Sequence, residues 1–318
     1  MAHVTEWDAI VVGGGAAGLS AGVVLARTGI RVIVVEDRTP RNAPATHMHG
    51  FLSRDGMNPT ALLQAGREEV TGFGGKLLAA RAERVETLPD GTLRVVLDEG
   101  SELTAPAVLL ATGLRDELPE IPGAEELWGT LVHHCPHCHG REVAGQRIAV
   151  IGGANAPMSV HQAALMRRYT DDVVFYLNGV ELAEHERAQF AAIDVKVVDA
   201  RVGSVSANGA GALAVEQGDG TVVTHDCAFV APLMAPRDEV LAGLELVRAG
   251  DTQWIDCGPT GRTSVGGVWV AGNLANPRAQ VVTAAGEGSA AAIDISGYLL
   301  AHDLGRAVSG EAGSWFVR

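Results

Sequence analysis

Val132–Gly140 reads "VHHCPHCHG" and places Cys135 and Cys138 among four histidines, His133, His134, His137 and His139. Two thiols at this spacing support three chemistries: a zinc site, a structural disulfide or a redox pair. A structural zinc site takes four ligands, usually from two separated pairs, and no second Cys-x-x-Cys exists in the chain. A compact cluster of Cys135, His137, Cys138 and one further histidine remains as an alternative. Our reading is a redox pair with no metal, which accounts for both the spacing and the position just ahead of a strand–turn–helix unit.

The histidines set a direction. Positive neighbours stabilise a thiolate, and a stabilised reduced form makes the disulfide the stronger oxidant. The insert Pro136-His137 resembles that of the strongly oxidising periplasmic thioredoxin-fold enzyme. A pair that holds electrons suits an oxidase better than a reductase. His139 follows the second cysteine; imidazoles exchange protons near neutral pH, so we read it as the base for a substrate thiol or for Cys135. The alternatives are a structural His139, and a His133 and His134 that are passive polar residues of an exposed loop. Cys227 and Cys257 have no partner at motif spacing and read as small core hydrophobes.

The elements that must position this pair repeat. "WDAIVVGGGAAGLSAGVVLARTGIRVIVVED" and "QRIAVIGGANAPMSVHQAALMRRYTDDVVFYLNG" share the order strand, glycine turn, helix, strand. Near-continuous apolar strands of this kind belong to parallel sheets covered on both faces. Alternating runs such as "LRVVLDEG", bounded by "PDG", read as antiparallel hairpins. The fold class expected is α/β, with two Rossmann-like dinucleotide-binding domains of the three-layer ββα type, the second inserted in the first.

In the first unit Gly13, Gly15 and Gly18 form G-x-G-x-x-G, with Ala16 and Ala17 opening the helix. The first glycine permits the turn, the second admits a pyrophosphate, the third packs helix on strand, and the helix N-terminus faces the phosphates. Glu36 ends the next strand about 20 residues on, where a carboxylate takes ribose hydroxyls. A glycine turn without a ligand is the bland alternative.

"VVGGGAAGLSAG", "LLATGLRD" at Leu109–Asp116, the Cys-x-x-Cys ahead of a second βαβ unit, and "GVWVAGN" followed by "AQVVTAAGEGSAAA" together resemble the low-molecular-weight thioredoxin reductase family, in order over nearly the whole chain. The resemblance implies a discontinuous FAD domain, residues 1–115 and 248–318, and an inserted domain, residues 116–247, carrying the cysteines and, in reductases, binding NADPH. It further implies that Ala111, Thr112 and Gly113, Gly272 and Asn273 (where most members carry Asp), and Gln280 and Val281 approach the FAD. Cys138 is, by the same resemblance, the cysteine nearer the flavin.

The second turn departs from that pattern. It reads Gly152-Gly153-Ala154-Asn155-Ala156-Pro157, with Ala154 in place of a third glycine. A methyl group there crowds a pyrophosphate. The following strand ends at Asn178, Gly179 and Val180, where NADPH readers place arginines to hold the 2′-phosphate. Arg187 is the nearest arginine downstream, among Glu181, Glu184 and Glu186. A unit kept as scaffold is expected; weak or unusual nicotinamide binding is the alternative.

An oxidising pair, an intact flavin site and an eroded NADPH site resemble the FAD-dependent dithiol oxidases of natural-product pathways, of the gliotoxin and holomycin type. That resemblance implies a small-molecule dithiol substrate, O2 as terminal acceptor, H2O2 as product and a homodimer. The alternatives are an NADPH-dependent disulfide reductase with an atypical nucleotide site, and a non-catalytic protein that sequesters a thiol compound. Net charge of −14 argues against nucleic acid or an anionic membrane as partner. The apolar run after "MAHVTEWD" leads into a glycine turn and lacks a basic flank, so it reads as a strand and not a signal peptide; a cytoplasmic location is expected.

Overall fold

The computed structural model describes residues 4–209 and 211–308. Val32–Glu36, sequence VIVVE, is buried at every position, which requires cover on both faces of its sheet. That sheet has five parallel strands in the order Val268–Val270, Ala107–Leu110, Ala9–Val12, Val32–Glu36, Lys76–Ala79.

Because strand side chains alternate between faces, the same strands build two cores. Ala9, Val11, Val32 and Val34 pack with Leu25, Trp269 and Ile295 on the side of helices Ala16–Arg27 and Val281–Val308. Ile10, Val12, Ile33 and Val35 pack with Val85, Val95 and Leu97 of a four-stranded sheet. That sheet contains the expected hairpin, Ala82–Thr87 against Leu93–Leu97.

The second unit repeats the three layers. Its parallel sheet runs Val132–His133, Cys227–Val230, Ile148–Ile151, Val173–Tyr176, Lys196–Val198. Ile148, Val150 and Phe175 meet Ala163, Met166 and Phe190, whereas Ala149, Ile151 and Tyr176 meet Val205, Leu213 and Val215 of a three-stranded antiparallel sheet. The α/β class with two dinucleotide-binding units is therefore as expected.

The two compact units are Met1–Arg115 with Ala235–Arg318, and Asp116–Met234. The first crossing falls after Arg115. The return comes at Ala235, earlier than the expected 248, because Val240 and Leu241 already belong to the core of the first unit. Among the described residues no helix is long and apolar enough to cross a membrane.

Candidate active site

The first glycine turn sits at the carboxyl end of its parallel sheet, where ligands of open α/β sheets bind. Gly13 has φ +110°, and a Cβ there would lie 2.3 Å from the Ala111 carbonyl oxygen. Only glycine lets the two loops approach so closely. A Cβ on Gly18 would strike the Gly13 carbonyl, which fixes helix Ala16–Arg27 against the turn. Beside Gly15, by contrast, the space is open, and this residue caps the helix with no side chain of its own. The helix N-terminus is left for an external acceptor, as a pyrophosphate would be. Ala16 and Ala17 form its first turn, and Gly272 (φ +68°) approaches within 2.9 Å of the Ala17 Cβ, measured from an added Cβ.

Glu36 ends its strand as read from sequence, and its carboxylate is almost wholly buried, directly beneath Gly14. What the sequence reading missed is its partner. Arg67 Nε and Nη2 each donate to one carboxylate oxygen at 2.8 Å, and Glu36 raises the Arg67 pKa chiefly through this hydrogen bonding. The paired oxygens keep further acceptor capacity, as a carboxylate offers about four lone-pair sites.

Thr112 and Gly113 tie to the returning chain: the Thr112 hydroxyl donates to the Arg237 carbonyl, and Arg237 N–H donates to Gly113 O at 3.0 Å. Asn273 donates from Nδ2 to the carbonyls of Asn276 (3.1 Å) and Ala279 (3.0 Å) and accepts from Arg41 Nη1 at 3.3 Å. An aspartate could not donate those two bonds, which gives the departure from Asp a physical reason. Glu287 completes the turn by accepting from Gly272 N–H and Asn276 Nδ2. Gln280 precedes Val281, the first residue of the last helix. The open cradle at Gly15, the glycine contacts around it and the buried Glu36 fit FAD.

The second turn is built differently. Asn155 caps helix Ala156–Met166 by accepting from Met158 N–H, and Ser159 Oγ accepts from Gly153 N–H at 3.1 Å. Donors that a phosphate would use are thus satisfied internally. On the helix that follows the next strand, Glu184–Ala192, Arg187 is paired with Asp199. One expectation needs correcting: a cation does stand near Gly179. Arg201 Nη1 donates to the Asn178 carbonyl at 3.0 Å, and its guanidinium lies 2.6 Å from where a Gly179 Cβ would be.

Cys135 and Cys138 form a disulfide at the start of the short helix Pro136–His139, with Cys135 as its N-cap and Pro136 in its first turn. Cys138 and His139 N–H groups both donate to the Cys135 carbonyl at 3.0 Å. Cys135 and His139 are four apart and share a face. Gln162, buried, donates from Nε2 to the carbonyls of His134 and Val230, fastening the dithiol segment to its sheet. His134 stacks on Trp128.

His133 differs from expectation. Its strand pairs with Ala228 and Phe229, and the residue is buried. Burial pushes its pKa down to about 4, with His139 and His134 adding in the same direction. It is neutral at pH 7 and supplies no imidazolium to Cys135. Nor is it part of an exposed loop. Burial also raises the Cys227 thiol to about 12 and raises that of Cys257, so neither offers a thiolate at neutral pH. Among the described residues no group of three His, Cys, Asp or Glu side chains could hold a metal ion.

Comparison with known proteins places this architecture. The model of the pyridine nucleotide-disulphide oxidoreductase family matches residues 7–288. Thioredoxin reductase sirT of Leptosphaeria maculans is 30% identical over 94% of this chain and 96% of its own. Thioredoxin reductase aclD of Aspergillus oryzae is 30% identical over 91% and 95%. The crystal structure of HlmI is 42% identical, covers 98% of both chains and superposes with a TM-score of 0.92. The chain belongs to the pyridine nucleotide-disulphide oxidoreductase family, as a thioredoxin reductase-like, FAD-binding oxidoreductase.

Proposed function

We propose that this flavoprotein is a dithiol oxidase that closes an intramolecular disulfide in a small-molecule, natural-product dithiol, with O2 as terminal acceptor. The observation that carries the reading is the contrast between the two glycine turns: the cofactor turn is open beside Gly15, whereas Ser159 and Asn155 close the second turn. Such a chain keeps its flavin site and its disulfide while lacking a ready berth for NADPH.

In the reaction a substrate thiolate attacks Cys135 Sγ. The Cys135–Cys138 bond breaks, a mixed disulfide forms, and Cys138 leaves as the thiolate. His139 takes the proton of the second substrate thiol. That sulfur attacks its partner in the mixed disulfide, closing the ring and expelling Cys135. Two electrons have then passed from substrate to the pair; the proton of the attacking thiol has gone to solvent and that of the second thiol is on His139. Gly13, Gly15, Gly18, Ala16, Ala17, Glu36, Ala111, Thr112, Gly113, Gly272, Asn273, Gln280 and Val281 would hold FAD, which when bound would supply a two-electron acceptor for the pair, with O2 as the terminal oxidant and H2O2 as its product.

Anaerobic mixing tests this. A small dithiol is expected to bleach the flavin absorbance quickly, NADPH slowly or not at all, and air to restore the colour with peroxide. Rapid, saturable bleaching by NADPH would promote the second reading, an NADPH-dependent disulfide reductase. Arg201 beside Gly179 favours that second reading, since a guanidinium there could meet a 2′-phosphate. Bleaching by neither reagent returns the chain to a non-catalytic thiol binder.

A further inference from the structure

An open cleft of about 560 Å³ lies in the inserted unit, lined by His137, His161, Ala164, Leu165, Arg168 and Tyr169. Its volume falls in the range of small-molecule sites, about 300–1,000 Å³. Its position is set by the dithiol itself. His137 sits between the two cysteines in the sequence and is part of the short helix that carries them. Tyr169 closes against the end of the same helix, where Gly140 leaves room for it: a Cβ on Gly140 would lie 2.5 Å from the tyrosine ring. His137, which lines the cleft, is next to Cys138 and two residues from Cys135 in the chain.

The lining has a definite chemistry. No acidic side chain belongs to it, although the chain as a whole carries −14. The neighbouring Arg167 is committed, to Asp171 and to the carbonyls of Ile193 and Thr170. Arg147 is committed to Asp226 and Arg187 to Asp199. Arg168 is exposed, with no side-chain hydrogen bond or ion pair among the described residues. His137 and His161, also exposed, add two ring donors, while Leu165, Ala164 and the Tyr169 ring supply an apolar floor. A guanidinium backed by two imidazoles matches a carboxylate.

We infer that this cleft is the substrate-docking site, and that the substrate is a compact dithiol bearing a carboxylate, whose charge Arg168, His137 and His161 hold while its apolar body lies on Leu165 and Tyr169. The inference rests on the dithiol-oxidase reading and gives that reading its substrate class. The docked dithiol delivers two electrons and two protons to the Cys135–Cys138 disulfide and becomes a cyclic disulfide, so a single turnover needs no further reagent.

Dihydrolipoate and dihydrolipoamide test it, because they carry one and the same dithiol and differ only in carboxylate against amide. The readout is the rate at which Cys135 and Cys138 become alkylatable, followed by protein mass, with neutral dithiothreitol as a reference. One charge-assisted hydrogen bond predicts about a tenfold faster reaction for the acid than for the amide. Arg168→Gln should bring that ratio to near one, Arg168→Lys should keep part of it, and added salt should erode it in the parent protein. Equal rates for acid and amide in the parent, or an unchanged ratio in Arg168→Gln, overturn the docking site while leaving the oxidase reading in place. Failure of all three dithiols to reduce the pair sinks the oxidase reading and the docking site together, as does reduction by a protein dithiol alone.

Discussion

The imidazole of His133 lies against that of His139, ring centroids 4.4 Å apart and planes 20° from parallel. One member of this stack is a buried strand residue, the other follows the active disulfide. Protonation of His133 would put a cation both out of water and against a second imidazole, which is why its pKa falls to about 4.

A pH-dependent stability follows. The unfolded chain holds a proton on this residue below about 6.5, the folded chain only below about 4. Between those values the unfolded state binds more protons, so stability is full above about pH 6.5 and declines as pH falls toward 4. The loss reaches about 3 kcal/mol at most. Thermal melts across pH 4–7 should show the decline in the parent and a shallower slope in His133→Phe; parallel slopes would remove His133 as its source.

In the proposed mechanism the disulfide pair acts as a unit. Cys135→Ser and Cys138→Ser should each lower turnover by at least about a thousandfold, and the double variant little further. Both should retain FAD, since the residues that fit it lie on other segments. Steady-state rates and the flavin spectrum of the purified variants check this, and substantial activity in either variant contradicts the mechanism.

Glu36 is buried and Arg67 neutralises it through two hydrogen bonds. Arg67→Met should leave the buried Glu36 with only the exposed Arg38, whose Nε is 3.9 Å away, and cost up to roughly 3–5 kcal/mol. Urea unfolding measures the loss directly, and a lowered FAD content is expected alongside it. An unchanged unfolding midpoint would show that Glu36 is solvated or paired elsewhere.

The last helix presents Ile293, Leu300 and Leu304 to solvent, each more than half exposed. Their spacing of seven and four residues puts them on one face, and such a stripe suits a symmetric contact with a second copy. Light scattering should give twice the 33.0 kDa chain mass for the parent, and Ile293→Glu combined with Leu300→Glu should return the single-chain mass. A parent that is already a monomer refutes the homodimer.

Legibility in the sequence followed locality. Val32–Glu36 and Ala9–Val12 were readable as buried parallel strands because every position is apolar or ends at a carboxylate, and Gly13, Gly15 and Gly18 declare their turn by type and spacing. Arg67 was not readable as the partner of Glu36, because it stands 31 positions downstream on a separate element, helix Pro59–Gly72. Arg201 escaped for the same reason: it reaches Asn178 from the start of the following antiparallel strand. His133 looked like one of four similar histidines, and only its pairing with Cys227–Val230 separates it from them. The early return at Ala235 hid because Val240 and Leu241 are apolar in either domain assignment.

The self-closed second turn changes what keeps the inserted unit folded. Where orphan N–H groups await a ligand, occupancy adds stability by mass action, in proportion to the logarithm of ligand concentration. Ser159 and Asn155 meet that need permanently and from within the chain. On the proposed reading the inserted unit is thereby uncoupled from the cell's nicotinamide pool, while the outer unit stays linked to flavin supply: riboflavin starvation should deplete this protein, and shifts in nicotinamide levels should leave its abundance unchanged.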